Sequence, residues 1–301
     1  MKKTLIIIIT YNGMRWLPDV IASLEGGSIF DVWVRDNGST DGSRGFLKSH
    51  PVVNFYTEGE NIGFGQANNL GLEFAIIHGY DSVLLLNQDA KVTANQIKTM
   101  RSIAEGIEGY FILCPVQLNW SGNEANPNFQ NIYAPGWKSA VSPFSVDFVN
   151  AAIWFIPIKT LSLIGGFNPL FFMYGEDDDW ARRLANKGGR VLVVPTLRCR
   201  HDKSVQSLPQ NTLEELMNRY QNEETSFFFL LHKSFFGWFL GFLMRSGIRI
   251  LKPRYAKKFG INPQIRQLYL IFQKFKKNKT PMKRVRIDLE DSTPFLPLSS
   301  L

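Results

Sequence analysis

A chain of 301 residues that is 45% hydrophobic and 20% charged has the composition of a globular protein, with one large core or a core plus an accessory region. Its two cysteines, Cys114 and Cys199, argue against a disulfide framework or a Cys-rich zinc site and suit a reducing cytoplasm. The net charge of +8 is uneven: fourteen Lys/Arg against three acids from Arg245 onward give that tail +11, so the first 244 residues are net −3.

The opening "MKKTLIIIITYNG" imitates a signal peptide, but Leu5 to Ile9 is too short for its apolar region and no small-residue cleavage site follows. It reads as a buried strand ending in a polar turn. "MRWLPDVIASLEGG" reads as a helix closed by Gly26 and Gly27, and "FDVWVRDNGSTDGS" as a second strand with turn chemistry behind it. A helix through Phe46 to Ser49, a short strand at "VNFYTE", a Gly-rich turn and the helix "GQANNLGLEFAIIHG" follow. "DSVLLLNQDA" is another strand that stops abruptly at polar residues. Strands rich in Val, Ile and Leu that alternate with helices predict a parallel sheet covered on both faces. Ligands bind at the carboxyl ends of strands in such sheets. The polar clusters Thr10-Tyr11-Asn12, Asp36-Asn37-Gly38 and Asn87-Gln88-Asp89 all lie there.

Residues 115 to 145 are rich in Pro, Asn, Gly and Trp without clear periodicity, as functional or disordered segments often are. A strand within "VDFVNAAIWFIP", a helix at "IKTLSLIGGF" and a last strand at "RVLVVPTLRCRHD" complete an expected domain over residues 1–225. Between them stands "FFMYGEDDDWARRLA", with four acids in a row where the flanking residues indicate core. Acids favour a helix N-terminus, and Arg182 and Arg183 lie a turn further on, so a structural role competes with a chemical one.

Residues 226–301 form an aromatic, then basic, region expected to be helical. His232 and Lys233 interrupt its Phe/Leu run, which suits an interfacial helix on an anionic membrane better than a span. A packed accessory region or a homodimer interface is the competing expectation. No recognition motif is interleaved with the basic residues, so a nucleic-acid partner is not expected.

"IIITYNG", "VRDNGSTDGS", "NIGFGQANNLG", "LLLNQDA", "FFMYGEDDDWARR" and "RHDKSVQS", in that order, resemble glycosyltransferase family 2, inverting enzymes of GT-A fold. The pattern resembles most closely the bacterial rhamnosyltransferase-like enzymes. The resemblance implies a Rossmann-like, mostly parallel sheet flanked by helices, and a UDP- or dTDP-sugar donor. It gives Asp36 the uracil or thymine imide, with an Asx-turn as the alternative, and sets Thr10, Tyr11 and Asn12 around the base. Gly63, Phe64, Gly65 and Asn68 would let the backbone approach the nucleotide, as glycine permits. "LLLNQDA" corresponds to the family's DxD motif with Asn87 in the first acid's place and Gln88 between. Asp89 is then the charged ligand of Mn2+ or Mg2+, and His201 resembles the histidine that completes the metal shell. Asp177 corresponds to the catalytic base, with Glu176 and Trp180 on the acceptor side and Asp179 capping or salt-bridging the helix that follows.

The expected function is sugar transfer to a glycan or lipid-linked hydroxyl in cell-surface polysaccharide synthesis, at the inner face of the cell membrane. A nucleotidyltransferase needs a Gly-rich basic loop after the first strand, and "TYNGMRW" offers one glycine and one arginine. A non-catalytic nucleotide-sugar-binding protein is suggested by Asn87 and opposed by Asp89 and Asp177.

Overall fold

The computed structural model describes residues 3–203 together with Gly241; the expectations for the tail lie outside them. In chain order the elements are β1 (Thr4–Thr10), α1 (Leu17–Ala22), β2 (Phe30–Asp36), α2 (Ser43–Lys48), β3 (Phe55–Glu58) and α3 (Phe64–Ile77). β4 (Ser82–Leu86), β5 (Ala90–Lys91), α4 (Ala94–Glu105), β6 (Phe111–Leu118), a one-turn π-helix (Phe129–Tyr133) and β7 (Phe144–Val146) come next. β8 (Ile153–Pro157), α5 (Ile158–Ile164), α6 (Glu176–Asn186) and β9 (Arg190–His201) close the described part.

The nine strands among the described residues form one sheet in the order β3-β2-β1-β4-β8-β6-β9-β5, with β7 pairing β9 off that path. β1 to β4 pair in parallel, as their unbroken apolar runs predict. The sheet becomes mixed beyond them, because β8 lies antiparallel to both β4 and β6. Ile6 and Ile8 of β1 enter one core and Leu5 and Ile7 the other, so each face of the strand is buried. Burying such side chains contributes about 1.5–3 kcal/mol each, which is why so polar a set of strand ends can be tolerated at one edge.

α4 opens with a capping box in which Thr93 and Gln96 satisfy each other's backbone N–H. α6 begins at Glu176, three residues before Asp179, after two successive left-handed residues, Tyr174 (φ 69) and Gly175 (φ 95). That conformation is uncommon for a residue with a side chain, and it turns the chain sharply into the acids. Among the described residues no helix is long and apolar enough to cross a membrane.

Candidate active site

The turns after β1 and β2 are stitched together by side chains onto backbone. Asn12, left-handed at φ 50, accepts from Thr40 N (2.8 Å) and donates its own N–H to Ser39 Oγ (2.9 Å). Gly13 N donates to Ser43 Oγ (3.1 Å) and Met14 N to an Asp41 carboxylate oxygen (2.9 Å). Asp36 makes the Asx-turn weighed for it and keeps one oxygen uncommitted. Its Oδ1 accepts from Gly38 N (2.9 Å), Ser39 N (2.7 Å) and Arg44 Nε (3.2 Å), which is the Asx-turn. Its Oδ2 is buried without a partner, and an orphaned carboxylate oxygen costs enough to call for a donor. An imide N–H is of that kind.

Gln88 holds the neighbouring turn. Its Oε1 accepts from Thr10 Oγ1 (2.7 Å) and Tyr11 N (2.9 Å), and its Nε2 donates to Tyr11 O (3.2 Å). The amide is therefore spent on holding the β1 turn, with the Tyr11 side chain left 48% exposed and Thr10 buried. A side chain on Gly13 would run into Gln88 and Thr10, which explains the glycine in "TYNG".

The glycine turn also serves the protein before any ligand. A Cβ on Gly63, which has φ +84, would collide with the Phe172 carbonyl, and Phe64 N donates to that same carbonyl (3.1 Å). A Cβ on Gly65 would lie 3.0 Å from Phe167 Cβ and 3.4 Å from Glu176 Cβ. Asn68 is buried and donates to Phe64 O (3.0 Å). These residues bring the start of α3 against the segment that leads into α6. The Asn37 amide ties the end of β2 to this turn by donating to Gly63 O (3.3 Å).

Asp89 and His201 are brought together by the antiparallel pairing of Ala90 with His201. His201 Nδ1 meets Gln117 Oε1 at 2.9 Å, which makes Nδ1 the protonated nitrogen and leaves the Nε2 lone pair without a hydrogen-bond partner. That Nε2 lies 3.6 Å from Asp89 Oδ1. Burial holds the imidazole neutral, its pKa pushed down to about 3, and pushes Asp89 up to about 6. A lone pair facing a carboxylate in a desolvated place fits a divalent cation with nitrogen and oxygen ligands. Among the described residues no group of three or more His, Cys, Asp and Glu is gathered for a metal, so this pair would provide two protein ligands. Asp202 is committed elsewhere, accepting from Trp16 Nε1 (2.8 Å) and pairing with Arg15 (3.5 Å). Asn87 ties this turn to β8 through its N–H to Ala152 O (2.9 Å), and its Oδ1 is buried without a partner.

One residue before Ala152 the chain reaches the acids: Ala151 N donates to Asp177 Oδ2 (3.2 Å) and Asp178 N to Asp177 Oδ1 (2.9 Å). Burial raises the Asp177 pKa, and those two N–H groups hold part of the rise back. Glu176 is raised too, first by burial and then by the Asp177 charge, and its Oε2 has no partner. The charge at this helix start has a division of labour. Asp178 pairs with Arg182 (2.8 Å) near the surface, whereas Asp179 pairs with Arg183 (3.0 Å) in the interior. Arg183 also donates to the Ile164 (2.6 Å) and Gly166 (2.7 Å) carbonyls. Asp179 thus salt-bridges, and no side chain caps α6.

The expectation for Trp180 on the acceptor side is corrected. Its side chain is fully buried, donates to Gly165 O (2.9 Å) and packs on Trp154 with ring centroids 5.5 Å apart. Glu176, Asp179, Trp180, Arg183 and Leu184 share the inward stripe of α6, a period that sequence spacing alone could have shown. Gln117 and Lys203 are the site residues that sequence reasoning missed. Lys203 follows directly on "RHD"; burial lowers its pKa, and the Asp89 and Asp177 charges oppose that.

Comparison with known proteins follows the same geometry. Residues 5–137 match the family described as Glycosyl transferase family 2. The low-salt glycan biosynthesis hexosyltransferase Agl10 of Haloferax volcanii is 26% identical over 190 residues, covering 59% of this chain and 60% of the relative, so less than two thirds of that relative is spanned. The dTDP-rhamnosyl transferase RfbF of Shigella flexneri is 23% identical over 235 residues, covering 74% of this chain and 78% of the relative. Among solved structures, S. aureus TarS 1–349 in complex with UDP-GlcNAc superposes with a TM-score of 0.58 at 16% identity, over 96% of this chain and 86% of the other. That likeness identifies the GT-A fold.

Proposed function

We propose, from the match of residues 5–137 to glycosyl transferase family 2, that the chain moves a hexose from a UDP- or dTDP-sugar to a hydroxyl of a glycan or lipid-linked acceptor, with inversion. The observation that carries this reading is the short Asn150–Ala152 turn. Through Ala152 O it holds the Asn87 end of the turn bearing Asp89, and through Ala151 N it holds Asp177. In this reading a donor whose diphosphate lies at the Asp89–His201 pair would present its anomeric carbon to Asp177.

Asp36 accepts the base imide on the orphaned Oδ2, and the Asn12–Ser39–Thr40 stitching keeps that carboxylate in place. Magnesium or manganese held by Asp89 and His201 would neutralise charge on the departing diphosphate. Asp177 takes the proton of the acceptor hydroxyl as its oxygen bonds to the anomeric carbon. The bond from that carbon to the phosphate oxygen breaks, and its electron pair leaves with the nucleoside diphosphate. A desolvated carboxylate with a raised pKa is the better proton acceptor, and two backbone N–H groups fix its direction. The rhamnosyltransferase relative makes dTDP-rhamnose the first donor to try. The tail over residues 226–301 brings the enzyme to the inner face of the cell membrane, a reading that rests on its Phe/Leu/Trp run and its basic surplus.

A donor-hydrolysis screen across UDP-, dTDP- and GDP-sugars with manganese tests the reading. Turnover of a UDP- or dTDP-sugar is expected. Release of pyrophosphate from a nucleoside triphosphate and a sugar phosphate, with no donor hydrolysis, overturns it in favour of nucleotidyl transfer. Sedimentation with anionic vesicles, reversed by high salt and absent with neutral vesicles, is the expected result for the tail. Equal binding to both vesicle types contradicts that part.

A further inference from the structure

We propose that Lys203 is a leaving-group contact, its ammonium holding the donor's β-phosphate and the oxygen that departs with it; this rests on the nucleotide-sugar reading above.

The placement follows from the backbone. β9 ends at His201, whose partner across the strand pair is Ala90, and Asp202 N donates to Asp89 O (2.8 Å). Lys203 is therefore the next residue beyond the edge of the Asp89 turn. Its side chain is half-buried, with Nζ 5.7 Å from the centre of the Tyr133 ring, so its stem runs inward over an aromatic face. Asp89 and Asp177 are the carboxylates that the proposed reaction sets on opposite sides of the anomeric carbon. Among the described residues Lys203 forms no hydrogen bond and no direct ion pair with either. A half-buried ammonium beside the Asp89 turn, held by neither carboxylate, has its donors open to an incoming anion.

The chemistry calls for such a group. As the acceptor proton passes to Asp177 and the bond from the anomeric carbon to the phosphate oxygen breaks, one further negative charge develops on the nucleoside diphosphate. A cation already fixed in a water-poor site stabilises that charge without reorganising. Asn87, where an acid would strengthen the hold on a divalent ion, makes a permanent protein charge at this point more consequential.

The test uses the full chain in excess chelator, with UDP and UMP as probes followed by calorimetry, on wild type, Lys203→Met and Lys203→Arg. Lys203→Met should weaken UDP about tenfold or more, as loss of a charge-assisted hydrogen bond does, and leave UMP unchanged. Lys203→Arg should recover most of the loss. Equal weakening of UDP and UMP, or no change in either, overturns the assignment, since a packing role predicts the former and a solvated lysine the latter. Wild-type protein that binds neither UDP nor dTDP, with or without manganese, overturns the nucleotide-sugar reading and this inference with it. UDP binding that is intact in both variants removes the inference alone.

Discussion

On the nucleotide side, Thr10, Asn12, Ser39 and Gln88 are joined to one another and to backbone by neutral hydrogen bonds, and Asp36 is the carboxylate among them left with one open oxygen. On the α6 side, Glu176, Asp177 and Asp179 are packed into a desolvated place, each with a raised pKa, and Asp179 alone is neutralised by a buried arginine. The first region fixes geometry cheaply, because amides and hydroxyls lose little on burial once paired. The second stores charge, which is costly but makes a base that wants a proton. A donor needs a rigid cradle and a transfer step needs a reactive group, and the chain separates the two demands along its length.

The comparison breaks most severely at Arg183. Arg183→Met would leave Asp179 buried and unpaired, and thermal unfolding should show a loss of about 3–5 kcal/mol. Arg182→Ala, at the surface pair, should cost less than about 1 kcal/mol. Similar losses for the two would mean that the interior pair is not the neutralising element.

Asp177→Asn sharpens the same contrast from the chemical side. Transfer should fall about 10²-fold or more while UDP or dTDP binding stays nearly unchanged, because the base acts only on the acceptor proton. Turnover and calorimetry on one sample give both readings, and a variant keeping a tenth of the wild-type rate would contradict the assignment.

How much of this was visible beforehand depended on what each residue's role required. Polar residues at strand ends announce themselves, as do four acids in a row, so Asp36, Asp89, His201 and, on α6, Asp177 could be singled out from order and neighbours. The direction of β8 could not, because its apolar run reads alike for either direction and pairing decides it. α4 went unread although Thr93 and Gln96 spell a capping box. The bonds Gln88 makes within the protein were not legible, because an amide's partners depend on which loop folds over it, here Thr10-Tyr11. Trp180 could not be placed on the acceptor side for another reason: it follows Asp177 by three residues, about a sixth of a turn round the helix, and that step carries it onto the buried stripe. The glycines at 63 and 65 were visible as a turn, yet what they let approach is protein, the Phe172 carbonyl and Glu176.

At the junction of the two regions, Asp89→Ala should abolish manganese-dependent nucleotide binding and His201→Ala should weaken it by a smaller factor. Titrating manganese against UDP binding measures both, and full activity in excess chelator would contradict a metal role for the pair.

The smallest effect is at Glu176. Its pKa is raised on folding, so the native state holds the proton more tightly than the unfolded chain, and stability falls as pH rises above the usual carboxylate range. Glu176→Gln removes that loss. The variant should be more stable than wild type at alkaline pH by about 1–3 kcal/mol, and the gap should close in acid. A variant less stable than wild type at alkaline pH would mean that the ionised carboxylate is held by partners rather than merely buried.

The central claim is that one carboxylate, Asp177, directs a single displacement at a sugar whose diphosphate lies at Asp89 and His201. Proton NMR of donor hydrolysis, recorded before the released sugar mutarotates, tests it most directly. The account predicts that wild-type protein first releases the anomer opposite to that of the donor, and that Asp177→Asn releases almost none. First release of the anomer that matches the donor would contradict it.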